Sequence, residues 1–130
     1  MDLTTPHFWM GFALVSVWAI VSGWSFALRM LRYDETPTFW RAVSVAQVLL
    51  VVQLVIGLVL LVLGGRPGDG SLFNYVFHPL YGIVFPLLTL FFAHKWAREG
   101  RYHPHVVFGV GGLVIFGLTA RAMMVGLGIG

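Results

Sequence analysis

The chain has no cysteine and little charge. Only 10% of its 130 residues are charged, whereas 58% are apolar. An average soluble domain carries roughly 25% charged residues, so this sequence lacks the polar side chains that cover a water-facing surface. The absence of cysteine excludes disulfides, thiolate metal ligands, iron–sulfur clusters and thiol nucleophiles. Any metal or redox chemistry must therefore use histidine or carboxylate side chains.

Most of the sequence consists of four long apolar runs, at residues 8–28, 42–65, 71–93 and 106–120. A helix needs about 20 such residues to cross a bilayer, and the fourth run reaches that length only if it includes Arg121. The runs are far longer than the roughly 10 residues of a transmembrane strand and lack strict alternation. We therefore predict an all-α membrane protein, one domain over residues 1–130, with helices at about 6–30, 38–64, 72–97 and 103–128.

The basic residues indicate how these helices are oriented. Six of the eight Lys and Arg residues lie in segments 29–41 and 95–101, and such residues concentrate on the cytoplasmic side of membrane proteins. We expect an up-down antiparallel bundle in the cell membrane with both termini outside, and we infer no nucleic-acid binding from the charge. The connectors at residues 66–70 and 98–101 are short. We therefore predict that helix three lies next to both helix two and helix four. Pro86 should kink helix three.

A few polar side chains fall inside the apolar runs, where an ionisable group is costly unless it has a partner or a function. A rise of about 1.5 Å per residue places Gln53, His78, Tyr81 and Arg121 toward the outer face, and His7, at the start of the first helix, lies there too. Neutral histidine binds heme iron and hydrogen bonds quinone carbonyls. No Asp or Glu occurs in an apolar run to pair with Arg121, and a heme propionate would fit it. We therefore expect these residues to bind heme b or quinone, with His78 as the candidate iron ligand.

One segment carries a family resemblance. It contains Gln53-Leu-Val-Ile-Gly57, then a glycine-rich loop, then His78-Pro-Leu-Tyr-Gly82 opening the next helix. Over these residues, 53–82, the chain resembles part of one half of the heme A synthase and related membrane b-type cytochrome four-helix bundles. In that family a histidine near the start of such a helix is a heme ligand, so the resemblance implies this role for His78. His7 is the only candidate for a second ligand at the same depth.

Each of these residues also has a purely structural interpretation. His78 can cap helix three ahead of Pro79, and Arg121 can extend to the outer headgroups. Gln53 can make a plain interhelical hydrogen bond. Three further histidines, at the inner face, are expected to lie in a hydrated interface: His94, His103 and His105.

The sequence therefore leaves two functions open. It has no recognisable nucleophile–base pair, carboxylate pair or phosphate-binding loop, so independent catalytic activity is not expected. The first function is that of a small integral membrane subunit in a respiratory or photosynthetic electron-transfer assembly, binding heme b or quinone. The second is that of a non-catalytic accessory subunit, which contacts lipid and the helices of other membrane subunits without a cofactor.

Overall fold

The computed structural model describes residues 3–34 and 36–128, and four long helices make up most of them. These are α1 (Thr4–Met30), α2 (Pro37–Val62), α3 (Leu72–Glu99) and α4 (Pro104–Gly126). Each is long and apolar enough to cross a membrane, and the described residues contain no β-strand. The prediction of an all-helical protein with four helices able to span a membrane is confirmed. The helix ends lie within two residues of the predicted ends.

Local sequence signals set the helix ends. Pro37 and Pro104 occupy the first turns of α2 and α4, where the missing N–H has no helical partner to lose. Ser71 caps α3 by accepting a hydrogen bond from the backbone N–H of Asn74, at 3.2 Å. Gly100 ends α3 with a φ of 73°, a left-handed conformation that glycine adopts without strain.

The α1 and α4 helices form the centre of the bundle. Their close approach depends on small residues, because a Cβ added to Gly109 would lie 2.8 Å from the Phe26 ring. At the same level, the hydroxyl of Ser22 donates to the carbonyl of Gly109 at 2.7 Å. The core around this pair includes Trp18 and Ile115, both fully buried. The other two helices are arranged on this central pair.

The outer two helices, α2 and α3, sit on different members of that pair. α2 packs on α1 and α3 packs on α4, while α2 and α3 make little direct contact. The short loop between α2 and α3 predicts that these two helices are close neighbours. The structure instead leaves a gap between them. A hydrogen bond of 2.7 Å from His94 Nε2 to Gln47 Oε1 links them at one end. The gap at the other end is where the candidate site lies.

The end of the bundle that contains Gln47 is also where α4 begins, and His105 lies in its first turn. The side chain of His105 is only 1% exposed, so the expectation that it lies in a hydrated interface is wrong. Its ring packs on Trp40, and its Nε2 shares a hydrogen bond of 3.0 Å with the hydroxyl of Thr36. Aromatic packing and a polar partner together allow a histidine to be buried here. By contrast, His94 is exposed.

α3 is not a uniform α-helix. A π-helical segment, Leu80–Val84, separates an α-helical part Leu72–Pro79 from a second part Phe85–Glu99. The distortion lies between Pro79 and Pro86, which both lack the N–H that an α-helix requires. The kink expected at Pro86 therefore takes the form of a wider turn before it. Such π-helical turns occur frequently at functional sites.

Candidate functional site

A cleft opens at the end of the bundle where α1 and α3 begin and α2 and α4 end. All four helices and the loop after α2 line it, and its volume is about 240 Å³. Ligand pockets are typically about 300–1,000 Å³, so this cleft is small, and a larger ligand would have to extend into the gap between α2 and α3. Most of the lining is apolar, and the polar side chains are Thr4, His7, Gln53, Arg66, His78 and Thr119.

Two histidines meet in this cleft from different helices. His7 lies in the first turn of α1, and His78 lies in α3 just before its π-helical segment. Their ring centroids are 6.0 Å apart, and the ring planes are inclined at 74°. Residues far apart in the sequence thus present two imidazoles to the same small space.

The protonation of His78 follows from its hydrogen bond. Its Nδ1 lies 2.7 Å from the carbonyl oxygen of Ala122 in α4. A carbonyl oxygen can only accept a hydrogen bond, so Nδ1 carries the proton and Nε2 keeps its lone pair. Metal-binding histidines are usually held in this way, with the second ring nitrogen donating to a carbonyl or carboxylate. The bond to Ala122 therefore fixes the orientation of the His78 ring and leaves Nε2 as the ring nitrogen that a ligand or metal could contact.

His7 has a different environment, centred on Gln53 of α2. The Nε2 of Gln53 donates to the backbone carbonyl of His7 at 2.9 Å. Two other buried atoms, Nδ1 of His7 and Oε1 of Gln53, have no hydrogen-bond partner among the described residues. Burying a polar atom without a partner is unfavourable, which makes this pair a notable feature of the cleft.

Glycines let the two imidazoles and the amide fit between the helices. A Cβ added to Gly57 would lie 3.2 Å from Cε1 of His7, and one added to Gly126 would lie 2.9 Å from Cε1 of His78. A Cβ on Gly11 would approach the Gln53 amide nitrogen to 3.1 Å. Larger residues at these positions would displace the polar side chains that define the cleft.

Arg66, at the mouth of the cleft, was not among the residues predicted for the site. Its Nη1 donates to the carbonyl of Gly65 at 2.7 Å, and its guanidinium lies 5.0 Å from the centroid of the Tyr75 ring. The side chain is exposed, so it can also contact a ligand that reaches the mouth. The sequence signal for Arg66 was its position as the one basic residue in the second connector.

The loop that carries Arg66 is fixed to the bundle. The backbone N–H of Gly68 donates to the carbonyl of Gly126 at 2.7 Å. Asp69 accepts hydrogen bonds from the N–H of Ser71 and the amide of Asn74, at 2.9 and 2.8 Å. The bond from the Ser71 backbone is the main reason that the pKa of Asp69 lies below its usual value. The carboxylate therefore remains charged and keeps the loop ordered at neutral pH.

Of the five residues expected in the site, three line the cleft and two do not. His7, Gln53 and His78 are together in it. Tyr81 instead stacks on Phe77, with ring centroids 5.8 Å apart, and does not contribute to the lining. Arg121 is half-buried and also lies outside the lining, although the adjacent Ala122 contributes to it.

The set of donors in the cleft limits which metals could be held there. Within the described residues, no group of three or more His, Cys, Asp or Glu side chains could hold a metal ion. Two imidazoles alone are too few ligands for a bare ion such as zinc, which takes four. They suit a metal that arrives with its other ligands in place, as iron does in a porphyrin.

Comparison with known proteins adds no further assignment. No protein-family model, no curated protein and no solved structure matches this chain. The functional argument therefore depends on the geometry and chemistry of the cleft.

Proposed function

We propose that this chain is a small membrane subunit of an electron-transfer assembly and binds heme b between His7 and His78. The observation that carries the proposal is the separation of their ring centroids, 6.0 Å. A metal–imidazole bond is about 2 Å long, so two imidazoles on opposite sides of one iron would have centroids roughly 6 Å apart. The separation of the two rings supports the proposal of one iron held by both histidines.

The surroundings of the two histidines also suit a heme. His78 donates from Nδ1 to Ala122 and keeps Nε2 available. The apolar walls would contact the macrocycle. Gly57 and Gly126 let the His7 and His78 rings pack closely against α2 and α4. When bound, heme b supplies one-electron chemistry. His7 and His78 would hold the iron, and the apolar walls of the cleft would keep water from it.

Arg66 supplies the charge that such a ligand needs at the mouth of the cleft. Heme carries two propionates, and arginine binds carboxylates through parallel N–H groups. The exposed guanidinium of Arg66 belongs to the cleft lining, whereas that of Arg121 does not. In this proposal Arg66 takes the role that the sequence suggested for Arg121.

The proposal includes the placement of the chain in the cell membrane. Alternating helix directions and the positive-inside rule put both termini and the cleft on the outer side, with segments 29–41 and 95–101 in the cytoplasm. The exposed apolar faces of the helices would contact lipid and the other subunits of the assembly. Electron transfer would then take place close to the outer face of the cell membrane.

The other two interpretations have less support from the cleft. A quinone was expected to use His78 and Tyr81, yet Tyr81 does not line the cleft and Nδ1 of His78 is bonded to Ala122. A non-catalytic accessory subunit without cofactor would give no reason for two imidazoles to share an apolar cleft. Alanine would pack between the helices without the free-energy cost of burying a polar side chain.

A visible spectrum of the purified protein tests the proposal. The chain is expressed with added heme precursor, and spectra are taken oxidised and dithionite-reduced. We expect one low-spin heme per chain, and loss of that spectrum in both His7→Ala and His78→Ala. His94→Ala is the matched control, because His94 lies in the same helix as His78 but at the opposite end of the bundle.

Three outcomes would contradict the proposal. If the wild-type protein binds no heme on expression or reconstitution, the cofactor assignment fails and the accessory interpretation replaces it. If heme binds but survives unchanged in both His7→Ala and His78→Ala, the ligands lie elsewhere. Quinone that co-purifies with a colourless protein, and is lost in His78→Ala, would establish the quinone alternative instead.

A further inference from the structure

Two buried atoms beside the cleft complement each other chemically. If His7 binds iron through Nε2, its Nδ1 carries a proton and needs an acceptor. Oε1 of Gln53 is an acceptor, and it is buried without a donor. Within the described part of the chain neither atom has a partner, so each can satisfy the other.

The two groups are already held next to each other. The amide nitrogen of Gln53 donates to the carbonyl of the same residue, His7, at 2.9 Å. Gly57, one turn further along α2, lies directly under the His7 ring. The terminal torsion of a glutamine side chain is broad, so a modest rotation can turn Oε1 toward the ring.

His78 shows the arrangement that His7 would then reproduce. Its Nδ1 already donates to the carbonyl of Ala122, at 2.7 Å. Histidine ligands of metals almost always donate their second N–H to such an acceptor, which fixes the ring and increases its basicity. The difference is that Ala122 contributes a backbone atom, whereas Gln53 contributes a side chain that substitution can change.

From these observations we infer that Gln53 is the positioning residue for His7, and that its amide oxygen accepts the Nδ1 proton when His7 binds iron. This inference rests on the proposed heme site. A stronger acceptor at this position gives the imidazole more anionic character and favours the oxidised iron, which lowers the reduction potential. Removal of the acceptor has the opposite effect.

The test is a redox titration of the heme-loaded protein with three variants. Gln53→Leu removes the acceptor at similar size, and it should raise the midpoint potential and weaken heme binding by roughly 10–100-fold. Gln53→Glu offers a stronger acceptor and should lower the potential while retaining heme. Gln47→Leu is the control, because Gln47 lies in the same helix and bonds His94 at the far end. It should leave the potential unchanged.

The outcomes separate this inference from the proposed function. If His7→Ala and His78→Ala lose heme but neither Gln53 variant shifts the potential, Gln53 has no role and the heme site stands. If wild-type protein binds no heme, both ideas are overturned together. If Gln53→Leu fails to fold, Gln53→Glu decides, since it keeps the shape of the side chain. A potential that does not fall in Gln53→Glu then contradicts the inference.

Discussion

The imidazole of His105 lies nearly parallel to the indole of Trp40, with ring centroids 5.7 Å apart and planes inclined at 16°. The same histidine accepts a hydrogen bond from the hydroxyl of Ser25 on its carbonyl and shares one with Thr36 through Nε2. One residue thus joins α4 to α1 and to the start of α2. This junction lies at the end of the bundle opposite the cleft.

Replacement of His105 should therefore affect stability and not the cleft. His105→Ala removes a buried ring from its stack on Trp40 and leaves Thr36 without its partner, so we expect destabilisation by roughly 2–4 kcal/mol. Equilibrium unfolding in mixed micelles measures this. The exposed His94→Ala should cost less than about 1 kcal/mol. Equal losses for the two variants, or an altered heme spectrum in folded His105→Ala, would contradict this account of the junction.

The glycine beside His78 should be required for ligand binding. Gly126→Ala would place a methyl group 2.9 Å from Cε1 of a ring that Ala122 holds in position. Such overpacking costs about 1–3 kcal/mol, which corresponds to roughly 10–100-fold in heme affinity. Gly117→Ala is the control in the same helix, because a Cβ there meets no atom within 4 Å. Heme titration of both variants should separate them, and equal affinities would rule out a packing role for Gly126.

The orientation of the chain can be tested directly, since the sequence has no native cysteine. Cysteines introduced at Asp34 and Glu99 should be protected from an impermeant thiol reagent applied to intact cells. A cysteine introduced at Asp69, in the loop at the mouth of the cleft, should react. Labelling of the first two positions, with protection of the third, would show that the bundle is inverted in the membrane.

The sequence predicts the depth of a residue in the membrane better than the direction in which its side chain points, and this difference has a physical reason. The depth of a residue follows from its count along a helix, because every residue adds about 1.5 Å. The count places His7, Gln53 and His78 toward one face, and in the structure all three line the cleft. The direction of a side chain depends on how the helix is rotated and packed. The position of a residue along the helix gives no information about that rotation. Tyr81, within the π-helical segment, does not line the cleft for this reason.

The positions of residues in loops and at helix ends escaped prediction for a related reason. Arg66 reaches the cleft because the N–H of Gly68 fastens its loop to the carbonyl of Gly126. His105 is buried where Trp40 at the start of α2 stacks on its ring and Thr36, just before α2, shares a hydrogen bond with it. Both placements depend on where a connecting segment lies in three dimensions, and hydrophobic patterning carries no information about that.

The π-helical segment Leu80–Val84 makes the position of His78 depend on the length of the chain as well as on its composition. A turn of this kind is equivalent to one residue inserted into an α-helix. Deletion of a single residue from it would restore a regular helix and rotate the preceding turn by about 100° relative to the rest of α3. The shortened helix would still be long enough to cross a bilayer, but His78 would no longer face His7. A one-codon deletion could therefore separate a lineage with paired histidines from one that keeps the same four helices without them.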